Sequence, residues 1–151
     1  MSAMAPELRV VRVDASVGLP LRQRVLRPHQ SVEELRAPDD DAPETGHYVA
    51  FAGDEVVGTG SIRREAPPWA PGDGRAWRVR GMATAEGWRN RGIGARVLDA
   101  ILAHAEAGGG GLVWCSARMP AVPFYMRAGF RTEGEPWVDP VIGPHVMMQR
   151  P

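Results

Sequence analysis

Residues 88–95 of the chain read Trp-Arg-Asn-Arg-Gly-Ile-Gly-Ala and join a predicted strand to the longest helical pattern in the sequence. The N–H groups that begin a helix have no partner within it and carry partial positive charge, so an anion binds there if it can approach the backbone closely. Gly92 and Gly94 permit that approach. Arg89 and Arg91 add permanent charge in a geometry that suits phosphate oxygens. We therefore expect a cofactor with a pyrophosphate group at this junction.

Composition limits the classes of function. The 151 residues, 44% hydrophobic and 24% charged, fit a single domain, which we expect to span residues 1–151. All 18 basic residues are arginine and balance 18 acidic ones, so the neutral chain has no general attraction to nucleic acid or membranes. The lack of lysine excludes Schiff-base chemistry and the lysine-containing phosphate loop. The single cysteine, Cys115, excludes an internal disulfide, and no spacing of His, Asp and Glu suggests a metal site.

The sequence has no pattern typical of a membrane-spanning or exported segment. No apolar run reaches the roughly 18 residues that a spanning helix needs. The stretch from Met1 to Val10 lacks the basic start and apolar centre of a signal peptide. We therefore expect a cytoplasmic protein, and the sequence leaves open whether it forms a homodimer.

Hydrophobic patterns predict seven strands and three helices along the chain. The helix from Ile93 is expected to bury one apolar face, and with the strands on either side it forms a βαβ unit with a right-handed crossover. Gly81 predicts either a bulge inside its strand or a close backbone approach. The fold class is therefore α/β (α+β), with a mixed central sheet of six to seven strands, antiparallel in its N-terminal part, and flanking helices. The strands are predicted over residues 8–13, 47–52, 56–63, 76–83, 112–116, 130–138 and 145–149, and the helices over 19–26, 93–107 and 121–128.

Two motifs stand in this order of elements. Arg89-Asn90-Arg91-Gly92-Ile93-Gly94 fits the pattern Gln or Arg, two residues, Gly, one residue, Gly or Ala. Phe124-Tyr125 followed by Gly129-Phe130 is an aromatic pair before Gly-Phe. Together they resemble the GNAT superfamily of acyltransferases over nearly the whole chain. The segments 26–28 (Leu-Arg-Pro) and 143–147 (Gly-Pro-His-Val-Met) are similar to its small, ElaA-like bacterial members. The resemblance implies the GNAT fold and acetyl-CoA as cosubstrate, without a metal.

The resemblance also implies which residues bind the cosubstrate. The strand from Met82 to Thr84 is expected to hold the pantetheine arm through backbone hydrogen bonds, with the Met82 N–H stabilising the oxyanion. Many members have Asn seven residues before the tyrosine, where it contacts the pantetheine arm, and this chain has Arg118 there. That contact with the pantetheine arm is therefore in question. Arg118 could instead bind a phosphate, or a carboxylate of the acceptor. The implied binding residues are Met82, Ala83, Thr84, Arg89, Asn90, Arg91, Gly92, Ile93, Gly94, Ala95, Arg118, Phe124 and Tyr125.

Transfer to an amine needs a neutral nucleophile, oxyanion donors and a proton for the departing thiolate. Tyr125 suits the last role because a phenol titrates at about 10, in the range of an alkyl thiol; the alternative is that it only packs beneath the cofactor. Glu65, at the end of the third strand, and His145 are the candidate bases, since carboxylate and imidazole side chains commonly accept protons in catalysis. His145 has the alternative of a purely hydrogen-bonding role where a loop meets a strand.

We therefore expect an acyltransferase that moves an acetyl group from acetyl-CoA to a small-molecule or peptide amine by direct attack in a ternary complex. The alternative is a non-catalytic acyl-CoA-binding domain. The acidic residues of segment 39–44 form either a solvated connection or a guide for a cationic acceptor. Trp69, in a loop rich in Pro and Gly, is either a lid over the acceptor or a packing residue. Cys115 is interpreted as a core residue.

Overall fold

The protein is described by a computed structural model over residues 7–151. The first six residues of the domain expected over 1–151 lie outside the described part, as does most of the segment compared with a signal peptide. Seven strands and three helices follow one another nearly as predicted. They are β1 (Leu8–Val13), α1 (Ala15–Leu26), β2 (Gly46–Ala52), β3 (Glu55–Arg64), β4 (Trp77–Thr84), α2 (Ile93–Ala107), β5 (Val113–Arg118), α3 (Val122–Arg127), β6 (Arg131–Asp139) and β7 (Gly143–Arg150).

The strands form one mixed sheet in the order β1-β2-β3-β4-β5-β7-β6. Only β4 and β5 run parallel, and all other neighbouring strands are antiparallel. Both the antiparallel N-terminal part and the βαβ unit of the prediction are therefore confirmed. Among residues 7–151, no helix has the length and apolar character needed to cross a membrane.

The first helix begins earlier than its apolar pattern predicted. Asp14 caps it, because a side-chain oxygen of Asp14 accepts from the Ser16 N–H at 3.0 Å, and the helix starts at Ala15. Pro20 consequently lies inside the helix, and not near its start, where the predicted range of 19–26 would have placed it. An apolar pattern locates the buried face of a helix more reliably than its ends.

The two long helices cover opposite faces of the sheet. A Cβ at Gly18 of α1 would lie 2.2 Å from Thr59 Oγ1 of β3, so α1 packs closely on the face that carries Thr59. A Cβ at the next residue, Gly60, would instead lie 2.8 Å from Ile101 Cδ1 of α2. Successive side chains of a strand point to opposite faces. The predicted apolar face of α2 is buried, apart from Leu102, which is half-buried. The buried residues of this face are Ile93, Val97, Leu98, Ile101 and Ala105.

The parallel strands β4 and β5 touch only at their first residues. Trp77 pairs with Val113 and Arg78 with Trp114, and no later residues of the two strands pair. Both strands continue beyond this point, β4 paired with β3 and β5 paired with β7. The sheet therefore has a gap between the C-terminal halves of β4 and β5.

Candidate active site

A bulge in β4 lies beside the gap. Ser61 pairs with Arg80 and Thr59 with Ala83, so β4 has two residues where β3 has one. Gly81, within the bulge, has a φ of +67°, which favours glycine. The bulge predicted from this glycine is confirmed.

The bulge determines which backbone groups face the gap. The Trp77 N–H donates at 2.8 Å to the carbonyl that precedes β5, whereas the Ala85 N–H donates at 2.9 Å to a carbonyl of β3. Along a regular strand, the N–H groups of every second residue point to the same neighbouring strand. Trp77 and Ala85 are both odd-numbered, yet their N–H groups point to opposite neighbours, because the extra residue of the bulge reverses the alternation. Beyond the bulge, the N–H groups of Met82 and Thr84 therefore point into the gap.

The glycine-rich stretch forms a turn that leads into α2. Gly92 has a φ of +76° and Asn90 one of +63°, so the loop curls tightly before the helix. The first hydrogen bond into the helix runs from the Arg96 N–H to Gly92 O at 3.2 Å, which leaves the N–H groups of residues 93–95 without intrahelical acceptors. A Cβ at Gly92 would meet no atom within 4 Å. The start of α2 is therefore accessible to an anion.

The two arginines of this turn are exposed. Arg91 lies over the ring of Trp88, with its Cζ 4.9 Å from the ring centroid. The four ion pairs found within residues 7–151 include neither Arg89 nor Arg91. Both guanidinium groups thus have no carboxylate partner in the described part of the chain.

The second motif packs against the first. A Cβ at Gly94 would lie 3.1 Å from Phe124 Cε1, so the aromatic pair sits directly on the start of α2. Phe124 in turn contacts the ring of Tyr125, with 5.0 Å between their centroids. The two motifs, separated by a helix and a strand in sequence, form one continuous structure.

A cavity of about 230 Å³ opens at the gap, on the face covered by α1. Its walls come from α1, β4, β5, the segment that includes α3, and the β6–β7 hairpin. Met82, Tyr125, His145 and Arg118 line it, and Glu65 does not. The structure therefore brings two of the three predicted catalytic residues together with the predicted oxyanion donor, and it keeps Glu65 apart from them.

Tyr125 is buried at the base of this cavity, with 6% of its surface exposed. Its ring packs edge-on against Phe124 and Phe130, with centroids 5.0 and 5.3 Å away. Burial raises the pKa of the Tyr125 phenol well above 10, with a smaller contribution from Cys115. The phenol is therefore held in its protonated form, which is the form that can donate a proton.

His145 is buried at the start of β7. Its Nδ1 donates to Gly143 O at 2.8 Å, because a carbonyl can only accept, and in the neutral ring this leaves the lone pair on Nε2. The ring stacks on Trp137, with 5.6 Å between centroids and 25° between planes. The hydrogen-bonding alternative for His145 is thus realised through Nδ1 without occupying Nε2.

Glu65 and Trp69 take part in a separate cluster near the start of β4. Arg78 Nη1 donates to Glu65 Oε2 at 2.7 Å, and the Trp114 Nε1–H donates to Glu65 O at 2.8 Å. Trp69 packs edge-on against Trp114, with 5.8 Å between centroids. The structure therefore favours the packing interpretation of Trp69 over that of an acceptor lid.

The acidic loop is paired rather than free. Arg63, which is 2% exposed, forms ion pairs with Asp39 and with Asp40, the latter at 3.0 Å. Arg64 pairs with Glu44 at 2.8 Å. Three of the loop's four carboxylates are thus paired with arginines of β3, and the structure favours the interpretation of a connection over that of a guide for cations.

Cys115 lies in the core as expected, 1% exposed. Burial raises the pKa of its thiol to about 12, which opposes any role as a nucleophile. Within residues 7–151, no cluster of three or more His, Cys, Asp or Glu side chains has the arrangement of a metal site.

Several cavity residues were not identified from the sequence. Arg22 comes from α1, Arg27 directly follows that helix, Arg80 comes from β4, and Asp139 and Trp137 come from β6. These residues lie far apart along the chain, and only the fold brings them to one cavity.

The sequence was compared with protein families and known proteins. The sequence model described as the acetyltransferase (GNAT) family matches residues 19–130. YitI of Bacillus subtilis (strain 168), named an uncharacterized N-acetyltransferase, is 32% identical over 143 residues, which are 95% of this chain and 95% of YitI.

Comparison with solved structures finds the same fold. Escherichia coli ElaA has a TM-score of 0.75 at 19% sequence identity, covering 97% of this chain and 99% of its own. An aminoglycoside 6′-N-acetyltransferase solved in complex with coenzyme A has a TM-score of 0.67 at 15% identity, covering 94% of this chain and 96% of its own.

Proposed function

The chain belongs to the GNAT acetyltransferase family, and from that membership we propose that it moves an acetyl group from acetyl-CoA to a primary amine by direct attack in a ternary complex. Family membership supports acyl transfer from coenzyme A in general. Three statements are part of this proposal: acetyl-CoA is the donor, an amine is the acceptor, and a single domain spans residues 1–151.

The phosphates of acetyl-CoA are assigned to the turn before α2. The exposed Arg89 and Arg91, the N–H groups of residues 93–95 and the open space at Gly92 support this assignment. The aminoglycoside acetyltransferase with the same fold was solved with coenzyme A. Asn90, Ile93, Gly94, Ala95 and Phe124 shape this end of the site.

The pantetheine arm is assigned to the gap between β4 and β5. Backbone N–H groups of Met82 and Thr84 face this gap, with Ala83 between them, and no β5 residue pairs with them. An amide-containing chain can hydrogen-bond to such an edge as an added strand does. This orientation of the Met82 N–H beside Tyr125, in one cavity, is the observation that carries the proposal.

The reaction needs three tasks from these residues. The Met82 N–H donates to the carbonyl oxygen of the thioester and stabilises its negative charge as the amine nitrogen bonds to the carbonyl carbon. Tyr125 gives its proton to the sulfur as the C–S bond breaks, so the thiol leaves neutral. His145 Nε2, directly or through water, accepts the proton that the amine loses. Glu65 is the weaker candidate for this base because it does not line the cavity and its carboxylate pairs with Arg78.

The proposal is tested with the purified full chain. Acetyl-CoA is expected to raise the melting temperature more than coenzyme A fragments without the adenosine phosphates do. Free thiol is expected to appear when a panel of primary amines is added. If acetyl-CoA at saturating concentration produces no melting shift, the proposal fails. A melting shift with no thiol release for any amine favours the non-catalytic acyl-CoA-binding alternative.

A further inference from the structure

The cavity at the gap is strongly cationic, although the chain as a whole has no net charge. Five guanidinium groups and one carboxylate line it. Tyr125 and His145, to which the proposed chemistry is assigned, lie in the same walls. The five guanidinium groups belong to Arg22, Arg27, Arg78, Arg80 and Arg118.

Three of these arginines have partners. Arg78 pairs with Glu65. Arg118 Nη2 and Arg27 Nη1 both donate to Leu26 O, at 2.6 and 3.1 Å, so they satisfy a carbonyl at the end of α1. These bonds fix the position of two guanidinium groups, and Asp139 offsets part of their charge.

Arg22 and Arg80 are different. The ion pairs found within residues 7–151 include neither of them, and Arg22 Nε is buried without a hydrogen-bond acceptor. Burial is the largest cause that lowers the pKa of Arg22 to about 10; the charges of Arg80, Arg27 and Arg63 contribute to this shift, and Asp40 opposes it. Both Arg22 and Arg80 are half-buried, and a partly desolvated cation without an ion-pair partner favours the binding of an anion.

The one carboxylate in the walls does not neutralise them. Asp139 Oδ1 accepts from the N–H groups of Val141 and Ile142, at 2.8 and 3.0 Å. These bonds lower the pKa of Asp139 and hold it ionised. Asp139 is close enough to Arg27 and Arg118 to interact with their charges, but it is not among the groups that act on the pKa of Arg22 or of Arg80.

The phosphates of acetyl-CoA do not account for these arginines. Their assigned site is the start of α2, whereas Arg22 belongs to α1, on the opposite face of the sheet. The side chain of Arg22 packs over Gly81, since a Cβ on Gly81 would lie 2.9 Å from Arg22 Cδ and from Arg22 Nε. The guanidinium is therefore adjacent to the bulge that orients the Met82 N–H.

We propose that the amine acceptor of this protein carries an oxyanion, a carboxylate or a phosphate, which Arg22 and Arg80 bind while its amino group faces the thioester. This inference rests on the proposed function and names its acceptor class. The planar fork of arginine suits either oxyanion. A volume of about 230 Å³ has room for a small amine of amino-acid size.

The first test compares acceptors that differ only in charge. Thiol release is measured with three amines that carry an anionic group, γ-aminobutyrate, glycine and phosphoethanolamine, and with their counterparts that lack it, γ-aminobutyramide, glycinamide and ethanolamine. Putrescine serves as an amine with a second cationic group. The anionic member of at least one pair is expected to exceed its counterpart about tenfold in kcat/KM. Carboxylate and phosphate arms identify which oxyanion is preferred.

The second test uses matched arginine variants. Arg22→Gln and, separately, Arg80→Gln are expected to raise KM for the anionic acceptor about tenfold and to leave KM for acetyl-CoA unchanged. Arg24→Gln is the control, because Arg24 lies in the same helix, is exposed and does not line the cavity. The preference for the anionic member of the pair should also fall in the first two variants only.

A binding measurement separates this inference from the proposed function. Succinate and inorganic phosphate are titrated calorimetrically into the wild type and the three variants without acetyl-CoA. At least one anion is expected to bind the wild type and Arg24→Gln and to bind the Arg22 and Arg80 variants more weakly. If acetyl-CoA binds, but the two members of every acceptor pair release thiol at equal rates, the inference about the acceptor is overturned and the proposed function is not. Absence of acetyl-CoA binding overturns the proposed function, and the anion titration then still decides whether the arginines form an anion site.

Discussion

The guanidinium of Arg22 lies directly over Gly81, so that a Cβ at position 81 would stand 2.9 Å from both Cδ and Nε of the arginine. The glycine thus has two functions. Its φ of +67° allows the bulge that turns the Met82 N–H into the gap, and its missing side chain leaves space for the arginine.

Replacing Gly81 with alanine should disturb both functions. We expect Gly81→Ala to lose roughly 1–2 kcal/mol of unfolding free energy because of the positive φ, and to raise KM for the amine acceptor because Arg22 is displaced. Urea unfolding and steady-state kinetics measure these effects. Gly53→Ala is the control: its φ is +59° and its Cβ would meet no atom within 4 Å, so it should lose similar stability without a change in KM. Equal kinetics for the two variants would contradict the role assigned to the Arg22–Gly81 contact.

The two tyrosines of the chain provide a reciprocal pair of variants. Tyr125→Phe should lower kcat by about two orders of magnitude, since it removes the proposed general acid, and should preserve the melting shift caused by acetyl-CoA. Tyr48→Phe should instead lose about 1 kcal/mol of stability, because the Tyr48 hydroxyl is hydrogen-bonded to His104 Nδ1 at 2.8 Å, and should keep kcat. If Tyr125→Phe retains full turnover, Tyr125 is only a packing residue.

Arg91 should affect binding of acetyl-CoA and not the chemical step. Arg91→Gln is expected to raise KM for acetyl-CoA by about tenfold, the loss of a charge-assisted hydrogen bond, with little change in kcat. Arg131→Gln, an exposed arginine on β6, is the control and should behave as the wild type. A decrease in kcat with unchanged KM would be incompatible with this division between binding and catalysis.

Cys115 should make stability fall with rising pH in the alkaline range. Burial raises the pKa of its thiol from an ordinary 9.0 to about 12, so above pH 9 the unfolded chain releases a proton that the folded chain retains. Unfolding is then favoured as pH increases, by up to about 1.4 kcal/mol per pH unit. Urea unfolding between about pH 8 and pH 10.5 should therefore show about 2 kcal/mol more loss for the wild type than for Cys115→Ala. Parallel losses in the two proteins would show that the thiol does not titrate in this way.

The elements and the glycine-rich turn before α2 could be predicted because their causes are local. The period of the apolar residues after Ile93 specifies a helix with one buried face, and Gly81 marks the bulge in its own strand. The β4–β5 parallel pair followed from strand, helix and strand in succession.

The arginine-lined cavity and the pairing of the acidic loop could not be predicted because their causes are distant in sequence. Asp39 and Asp40 look like free acidic residues until the fold places Arg63 against them. Arg22 looks like a surface residue of an amphipathic helix until α1 is laid across β4. Such pairings depend on the register and facing of separate elements, which a single sequence does not specify.

The short contact between β4 and β5 has a consequence for cooperativity. Strand edges normally lie at the margins of a sheet, where they are shielded, but here two of them lie in its interior and divide it into a four-stranded and a three-stranded half. The pantetheine arm of acetyl-CoA, bound along β4 as proposed, would act as a substitute strand and complete the sheet. The stabilisation of the fold would then grow with the logarithm of the acetyl-CoA concentration. The amide hydrogens on both sides of the gap should exchange more slowly when acetyl-CoA is bound, because the two halves of the sheet then unfold as one unit.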